Sequence, residues 1–224
     1  MDHKEVHLYD ALAVMRDLLD ARDALDLLIK TGDARFVAKR QLFWVPGSPS
    51  LFEINGCRIR NEDIIELVKK AQEGRENSYA PYSHFNVGAA ILAENLKLRN
   101  QKIFNGCNEE NTGYSPTLCG EVVAGAKAVS DGYRRFLAYA TVGCFDDSMS
   151  DDLRAKTVGT YVTPCGRCRL FTNEFAANPC MVIVAPDEGP FLISTLEFLY
   201  PAGFGPKSLG MDAASYDRHV KQKI

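Results

Sequence analysis

Two short segments determine the fold and the active site predicted for this chain: Pro116-Thr-Leu-Cys-Gly-Glu-Val-Val123 and Thr163-Pro-Cys-Gly-Arg-Cys-Arg169. Together they contain three cysteines, Cys119, Cys165 and Cys168. Three thiolates fill three corners of a tetrahedral zinc site and leave the fourth corner open for water, which distinguishes a catalytic zinc site from a closed structural one. The spacing therefore predicts a catalytic site with one Zn²⁺ per chain, built from two distant segments.

Glu121 adds an acid and base to this predicted metal site. It follows Cys119 by two residues, which places it close enough to the open corner to take a proton from water and pass it to a leaving group. A structural zinc would need a fourth sulfur or imidazole and would have no use for this carboxylate. The alternative, a small buried Cys119 beside a solvated Glu121, is disfavoured once the motifs below are counted. We therefore predict that Glu121 is the catalytic residue.

Composition excludes several classes of protein. The chain has 224 residues, of which 46% are hydrophobic and 25% charged, as expected of a globular protein with one core and an appendage. No stretch approaches the roughly 20 apolar residues that cross a bilayer. The net charge of −3 gives no electrostatic reason to bind nucleic acid. Seven cysteines and a start without a signal-peptide pattern predict a reducing, cytoplasmic location.

We divide the chain into an N-terminal extension (1–60), a catalytic core (61–210) and a C-terminal tail (211–224). In the extension, apolar residues recur at helical spacing between Leu8 and Leu28, which predicts one or two amphipathic helices. Segments 35–45 and 50–54 flank a Pro-Gly-Ser-Pro turn and predict two strands around it, which could pair as a β-hairpin. The sequence gives no indication of their role.

In the core, segments whose apolar residues recur with the period of a helix alternate with segments that have the period of a strand. A helix begins at Asn61, and helices beginning near Cys119 and Cys165 carry the predicted metal ligands at their N-termini, where the helix dipole stabilises thiolates. A short helix is expected at 194–199. The strands that we predict are five, at 81–92, 103–104, 136–144, 157–162 and 181–185.

The chain from about Asn61 to Leu209 resembles the cytidine deaminase family. Five motifs occur in family order: Pro81-Tyr-Ser-His-Phe-Asn-Val-Gly-Ala-Ala90, Gly106-Cys-Asn-Glu-Glu-Asn111, Cys119-Gly-Glu121, Thr163-Pro-Cys-Gly-Arg-Cys-Arg169 and Pro201-Ala-Gly-Phe-Gly-Pro206. The resemblance implies a three-layer α/β/α sandwich with a mixed five-stranded sheet. It also implies zinc-dependent hydrolysis of cytidine or deoxycytidine to the uridine product and ammonia, a reaction of pyrimidine salvage.

The three-cysteine set is similar to that of the short-chain, homotetrameric branch of the family. The longer, dimeric branch has a histidine at the position of Cys119. The resemblance therefore implies a homo-oligomer, with a tetramer favoured and a dimer as the alternative. Positions that contact neighbouring subunits or close a neighbour's pocket in the family correspond here to Tyr82, Tyr114 and Phe204.

The resemblance also implies how a small nucleoside substrate would be bound. Phe85 corresponds to the aromatic residue that lies against the base, and Gly120 to the residue whose backbone amide contacts the base carbonyl. Thr163 corresponds to the residue whose backbone carbonyl accepts from the exocyclic amine. Asn108 and Glu110 correspond to the pair that grips the ribose 3′-hydroxyl.

Most of these assignments have a simpler alternative. Phe85 could be ordinary core, since it lies on a predicted strand. Asn108 and Glu110 could serve only to stabilise a turn. Tyr82 could be ordinary interface packing. His84 is not expected to be a metal ligand, because it faces away from Phe85 and three thiolates already complete the protein's share of the site.

Two departures from the family pattern leave other functions open. Val122 stands where the tetrameric branch usually has an arginine that offsets the thiolate charge, so Arg167 and Arg169 become the candidate replacements. Blasticidin S deaminases share the apolar residue and a similar P-C-G-R-C-R motif, but they lack the glutamate equivalent to Glu110. The second departure is the extension itself. The alternatives are therefore deamination of an aminonucleoside antibiotic or modified cytosine nucleoside, or a non-catalytic nucleoside-binding module; polynucleotide editing is disfavoured.

Overall fold

The computed structural model describes residues 37–38, 41–44, 51–54, 57–155, 161–187 and 191–211. The helices expected between Leu8 and Leu28, and all but the first residue of the tail, lie outside these ranges. The strands are β1 (Val37–Ala38), β2 (Gln41–Trp44), β3 (Leu51–Ile54), β4 (Cys57–Arg60), β5 (Phe85–Asn95), β6 (Asn100–Cys107), β7 (Arg135–Phe145), β8 (Ala176–Val184) and β9 (Phe191–Thr195). The helices are α1 (Asn61–Arg75), α2 (Gly120–Ser130), α3 (Asp151–Ala155), α4 (Gly166–Phe175) and α5 (Leu196–Leu199), and a 3₁₀ turn covers Pro206–Leu209.

A mixed sheet forms the centre of the molecule. Its strands lie in the order β1-β2-β9-β8-β7-β5-β6, and β7 and β8 form the parallel pair while the other neighbours are antiparallel. Five of these strands come from the core, as the resemblance implied, and β1 and β2 extend the sheet to seven. The mixed α/β fold is therefore confirmed.

The sheet separates two apolar layers, because successive side chains of a strand point to opposite faces. On one face, Ile64, Leu67 and Ala71 of α1 pack against alternate residues of β5, β7 and β8. On the other face, α2 and α5 pack against the intervening residues, including the fully buried Tyr139. The helices with the predicted metal ligands, α2 and α4, share this second face, so the catalytic chemistry lies on one side of the sheet.

Close packing of α1 against β5 depends on the absence of a side chain at Gly88. A Cβ atom there would lie 1.9 Å from the Ala71 carbonyl oxygen, a distance that no side chain could occupy. The helix therefore approaches β5 more closely than an alanine would allow.

No described helix combines the length and apolar character needed to cross a membrane.

Two details of the predicted strands are wrong. The segments 41–44 and 51–54 do not pair with each other: β2 pairs with β1 and β9, and β3 pairs with β4. The fifth core strand is Phe191–Thr195, whereas Tyr161 and Val162 lie outside any strand and 157–160 lie outside the described residues. In the first case a local pattern identified extended segments, but their partners were set by distant residues. In the second case the strand at Phe191–Thr195 was not predicted, and its last two residues were assigned to the short helix, which begins at Leu196.

Candidate active site

Two helix N-termini meet at the predicted metal site. Cys119 is the residue before α2, Cys165 is the residue before α4, and Cys168 lies in the first turn of α4. Both N-cap residues have extended backbones, and neither thiol caps its own helix, so the sulfur atoms remain available as ligands. The N-terminal ends of the two helix dipoles favour the anionic form of these thiols.

The three sulfur atoms form a compact cluster that suits zinc. All three lie within 4.8 Å of one another, with Sγ–Sγ distances of 3.8 Å from Cys119 to Cys165 and 3.4 Å from Cys165 to Cys168. Zn–S bonds of about 2.3 Å in a tetrahedral site give sulfur separations of about 3.8 Å. The geometry therefore fits three corners of one tetrahedron, and among the described residues no fourth cysteine joins the cluster.

Electrostatics in the cluster favour removal of its first proton. The hydrogen bond from the Cys168 thiol lowers the pKa of Cys119 to about 6, and the nearby charge of Arg167 acts in the same direction. The same interaction, together with burial, raises the pKa of Cys168. The cluster therefore favours one thiolate at Cys119, and a bound cation would favour deprotonation of the other thiols as well.

Glu121 lies in the first turn of α2 and is only 3% exposed. Burial raises the pKa of this carboxyl group, while its own backbone amide and the Cys168 thiol oppose that shift. A carboxyl group whose pKa is raised can hold a proton nearer to neutral pH and release it again, as a proton shuttle must. The thiol contact places it beside the sulfur cluster.

The two arginines of α4 serve different purposes. Arg167 donates from Nη1 to the Thr117 carbonyl at 2.7 Å, which joins α4 to the segment that leads into Cys119. Arg169 donates to the Pro164 carbonyl from Nε and to the Leu199 carbonyl from Nη1, both at 2.7 Å. Of the two candidates, only Arg167 acts on the pKa of Cys119. Arg169 instead ties the helix to its surroundings.

The residues expected around the base lie on β5 and beside it. Phe85 begins β5, and its ring meets that of Phe145 edge to face at a centroid distance of 5.0 Å. Gly120 packs directly on the same strand, since a Cβ atom there would lie 3.3 Å from the Ala89 amide nitrogen. Thr163 immediately precedes Pro164 and the metal-ligand pair of α4. The fold thus packs Gly120, which is distant in the sequence, directly against β5.

Asn108 and Glu110 both contact the beginning of β5. Asn108 is buried; its Oδ1 accepts from the Val87 amide at 2.8 Å, and its Nδ2 donates to the Phe85 carbonyl at 2.9 Å. It therefore holds β5 in place, and a contact with ribose would use its second N–H.

Glu110 is held by backbone amides. Its Oε2 accepts from the amides of Tyr82 at 2.9 Å and Ser83 at 3.1 Å. Burial alone would raise the pKa of Glu110, but the Ser83 hydroxyl, these amides and His84 together lower it below its usual range. The group is therefore an oriented carboxylate at neutral pH.

Comparison with known proteins identifies the family. Residues 61–184 match the cytidine and deoxycytidylate deaminase zinc-binding region. The chain is 38% identical over 151 residues to the cytidine deaminase of Sporosarcina psychrophila, covering 67% of this chain and 98% of that protein. It is 34% identical over 163 residues to the probable cytidine deaminase of Dictyostelium discoideum, covering 73% and 98%.

The chain belongs to the cytidine and deoxycytidylate deaminase zinc-binding family. The structure agrees: the crystal structure of cytidine deaminase from Burkholderia pseudomallei superposes with a TM-score of 0.51 at 31% identity, covering 62% of this chain and 98% of that one. The resemblance found in the sequence is therefore confirmed, and so is zinc as the metal of this domain; the three-cysteine cluster is suited to bind it. The family match begins at Asn61, where α1 begins, so the extension lies outside it.

The three aromatic side chains expected at subunit contacts are all exposed, as is Tyr79, which is 58% exposed. Tyr114 is 79% exposed, Phe204 62% and Tyr82 49%. The rings of Tyr82 and Tyr114 lie 6.5 Å apart, and the Tyr82 hydroxyl is 2.6 Å from that of Thr112. His84 lies on the same turn as Tyr82 and contacts Asp146 and Ser148 through Nδ1. Exposed apolar groups of this size are typical of surfaces that another molecule covers.

One residue near the site was missed in the sequence. Thr141 is buried in β7, and its hydroxyl donates to the Val162 carbonyl at 2.9 Å, directly before Thr163. A polar residue inside an otherwise apolar strand was the available signal, because a buried hydroxyl requires a hydrogen-bond partner. The partner itself could not be inferred, since Val162 follows a long connection after β7.

Proposed function

We propose that the chain is a hydrolytic cytidine deaminase that converts cytidine or deoxycytidine to uridine or deoxyuridine with release of ammonia, as in pyrimidine salvage. One observation carries the proposal above the others: Glu121 is buried beside three cysteines whose sulfur atoms match three corners of a zinc site. A structural metal site would not require this carboxylate.

Cys119, Cys165 and Cys168 would hold the metal. When bound in such a site, Zn²⁺ supplies a Lewis acid that makes water a nucleophile near neutral pH. Glu121 would take one proton from the attacking water and deliver it to N3 of the pyrimidine, where it stays in the product. It would then take the second proton of that water from the new C4 hydroxyl and deliver it to the departing amine. The overall reaction adds water at C4 and breaks the bond from C4 to the exocyclic nitrogen, which leaves as ammonia.

The neighbouring residues orient the nucleoside. The Gly120 amide lies at the base carbonyl, the Phe85 ring lies against the base, and the Thr163 carbonyl accepts from the exocyclic amine. Glu110 accepts a hydrogen bond from the ribose 3′-hydroxyl, and its fixed orientation and lowered pKa support that role. A preorganised acceptor contributes more than a mobile one, because its ordering cost is already met by the fold.

A second candidate function is deamination of an aminonucleoside antibiotic such as blasticidin S. Val122 and the Pro-Cys-Gly-Arg-Cys-Arg segment favour it, since both resemble that group. The oriented carboxylate of Glu110 favours cytidine instead. A non-catalytic nucleoside-binding module is disfavoured by the burial of Glu121.

A panel of substrates tests the proposal. Purified protein is incubated with cytidine, deoxycytidine, free cytosine, blasticidin S and a cytosine-containing single-stranded oligonucleotide, and deamination is followed by ultraviolet absorbance. We expect turnover of at least one of the first two and poor use of cytosine and the oligonucleotide. Much faster turnover of blasticidin S than of cytidine would replace the first function by the second, and turnover of no compound would reject both.

We further propose that the active form is a homo-oligomer, most simply a homotetramer, in a reducing cytoplasm. The exposed aromatic rings of Tyr82, Tyr114 and Phe204 support the assembly, because burial of such rings against a neighbour would be favourable. The thiol donor set supports a reducing compartment, since oxidised cysteines could not bind zinc. A nucleoside is the proposed small-molecule partner.

A further inference from the structure

The peptide group between Val162 and Thr163 is held at both of its polar ends. Its N–H, from Thr163, donates to the Tyr161 carbonyl at 3.1 Å. Its carbonyl, from Val162, accepts from the Thr141 hydroxyl at 2.9 Å. Because a peptide group is planar, two hydrogen bonds on opposite edges fix the orientation of the whole plane.

The Thr163 carbonyl takes its direction from that plane. A residue before proline is restricted to extended conformations, so Thr163 has little freedom to reorient its carbonyl between Val162 and Pro164. The next carbonyl, that of Pro164, accepts from Arg169 at 2.7 Å. Within the described part of the chain no donor contacts the Thr163 carbonyl. It is thus an oriented acceptor that a ligand can use.

Thr141 is a rigid anchor for this peptide. It is 1% exposed, and it pairs with Ala89 of β5 on one side and Val184 of β8 on the other. Its own carbonyl accepts from the Ala185 amide at 3.0 Å. Because Thr141 is fixed within the sheet, the hydrogen bond from its hydroxyl holds the Val162 carbonyl in one position.

Gly143 provides a second contact of β7 with the same segment. A Cβ atom there would lie 3.2 Å from both Cγ atoms of Val162 and 3.0 Å from Cε1 of Phe85. The Val162 side chain and the Phe85 ring therefore both pack against the backbone of β7 at Gly143, where no side chain intervenes. Strand β7 thus holds Val162 by its carbonyl, through Thr141, and by its side chain, through Gly143.

We propose that Thr141 is a positioning residue for deamination: its hydroxyl orients the peptide before Thr163 and so aims the Thr163 carbonyl at the exocyclic amine that leaves as ammonia. This inference rests on the proposed function. It has a chemical consequence that separates it from general stabilisation. A nucleoside with an amine at C4 donates to that carbonyl, whereas uridine carries an oxygen there and has no such hydrogen bond to lose.

Thr141→Val tests the inference, because valine keeps the shape of threonine and removes the hydroxyl. Thr195→Val is the matched control, since Thr195 is a buried threonine of the same sheet on β9. Each protein is checked for zinc content, then assayed for cytidine turnover and for inhibition by uridine. We expect Thr141→Val to lower kcat/KM for cytidine about tenfold or more, while the uridine inhibition constant changes by less than about twofold. Thr141→Ser should restore most of the activity, and Thr195→Val should match the wild type.

Two outcomes overturn the inference: wild-type kcat/KM for cytidine in Thr141→Val, or an equal loss of uridine affinity, which would show a purely structural role. If the valine variant fails to fold, Thr141→Ser and Thr141→Ala give the same comparison, because both lose the methyl group and only alanine loses the hydroxyl. Equal activity of that pair would also overturn it. Failure of the proposed function is separate, since the wild type itself would then leave cytidine unchanged.

Discussion

Glu110 is the residue whose contacts bear most directly on substrate choice. We expect Glu110→Ala to lower kcat/KM for cytidine by an amount that corresponds to about 2 kcal/mol or more of lost transition-state stabilisation, because a charge-assisted hydrogen bond to ribose is lost. Turnover of free cytosine should not fall further, since that substrate has no ribose. Steady-state kinetics on both substrates measure the difference. The exposed neighbour Glu109 supplies the control, Glu109→Ala, and an equal loss in the two variants would reject the ribose contact.

Arg167 and Arg169 are expected to differ in their effect on the metal. Arg167→Gln removes a positive charge close to Cys119 and the hydrogen bond to Thr117, so it should weaken zinc binding. Arg169→Gln should chiefly lower thermal stability, because it leaves the Pro164 and Leu199 carbonyls without their donor. Competition with a zinc chelator and thermal unfolding of both variants measure this. A zinc affinity that falls only in Arg169→Gln would contradict the assignment.

The metal site was predictable at the residue scale, and its electrostatics were not. Cys119, Cys165 and Cys168 were identified from spacing, because zinc coordination demands a small set of donors at fixed separations. The division of labour between Arg167 and Arg169 was not, since it depends on where each side chain points. Thr141 was missed for the same reason: its partner, Val162, is distant in the sequence.

At the scale of elements, strand β2 is the principal addition to the family core. It pairs antiparallel with β9, with Phe43 opposite Leu192, and so covers an edge of the five core strands. An uncovered edge strand offers unpaired amide and carbonyl groups to other chains. This pairing is one way in which the extension contacts the core. Period and composition identified the strand, but no local signal indicated β9 as its partner.

Removal of residues 1–56 tests the role of that strand. We expect the truncated protein to retain zinc and some deaminase activity, because the site residues all lie beyond Asn61, and to unfold at lower temperature or associate through β9. Thermal unfolding, light scattering and the cytidine assay measure these properties. A well-folded truncation with full zinc content and no activity would show that the extension supplies part of the active site.

At the scale of the whole molecule, exposed aromatic residues predict assembly. Light scattering should give a mass several times that of one chain, with four chains as the simplest result. Phe204→Ala should shift the protein towards smaller species and lower its activity at dilute concentrations, since a 62% exposed ring is best explained by burial in a neighbour. The exposed Leu98, far along the chain on the turn between β5 and β6, gives the control Leu98→Ala. A fully active monomer would reject the proposal.

The most direct test of the account compares the wild type with Glu121→Gln. Both proteins are purified without added metal, their zinc is measured by elemental analysis, and uridine and ammonia are quantified after incubation with cytidine. We predict about one zinc per chain in both proteins, equal amounts of uridine and ammonia from the wild type, and a rate at least about a thousandfold lower in the variant. A zinc-loaded wild type that forms no uridine, or a variant with near-normal turnover, would contradict the account.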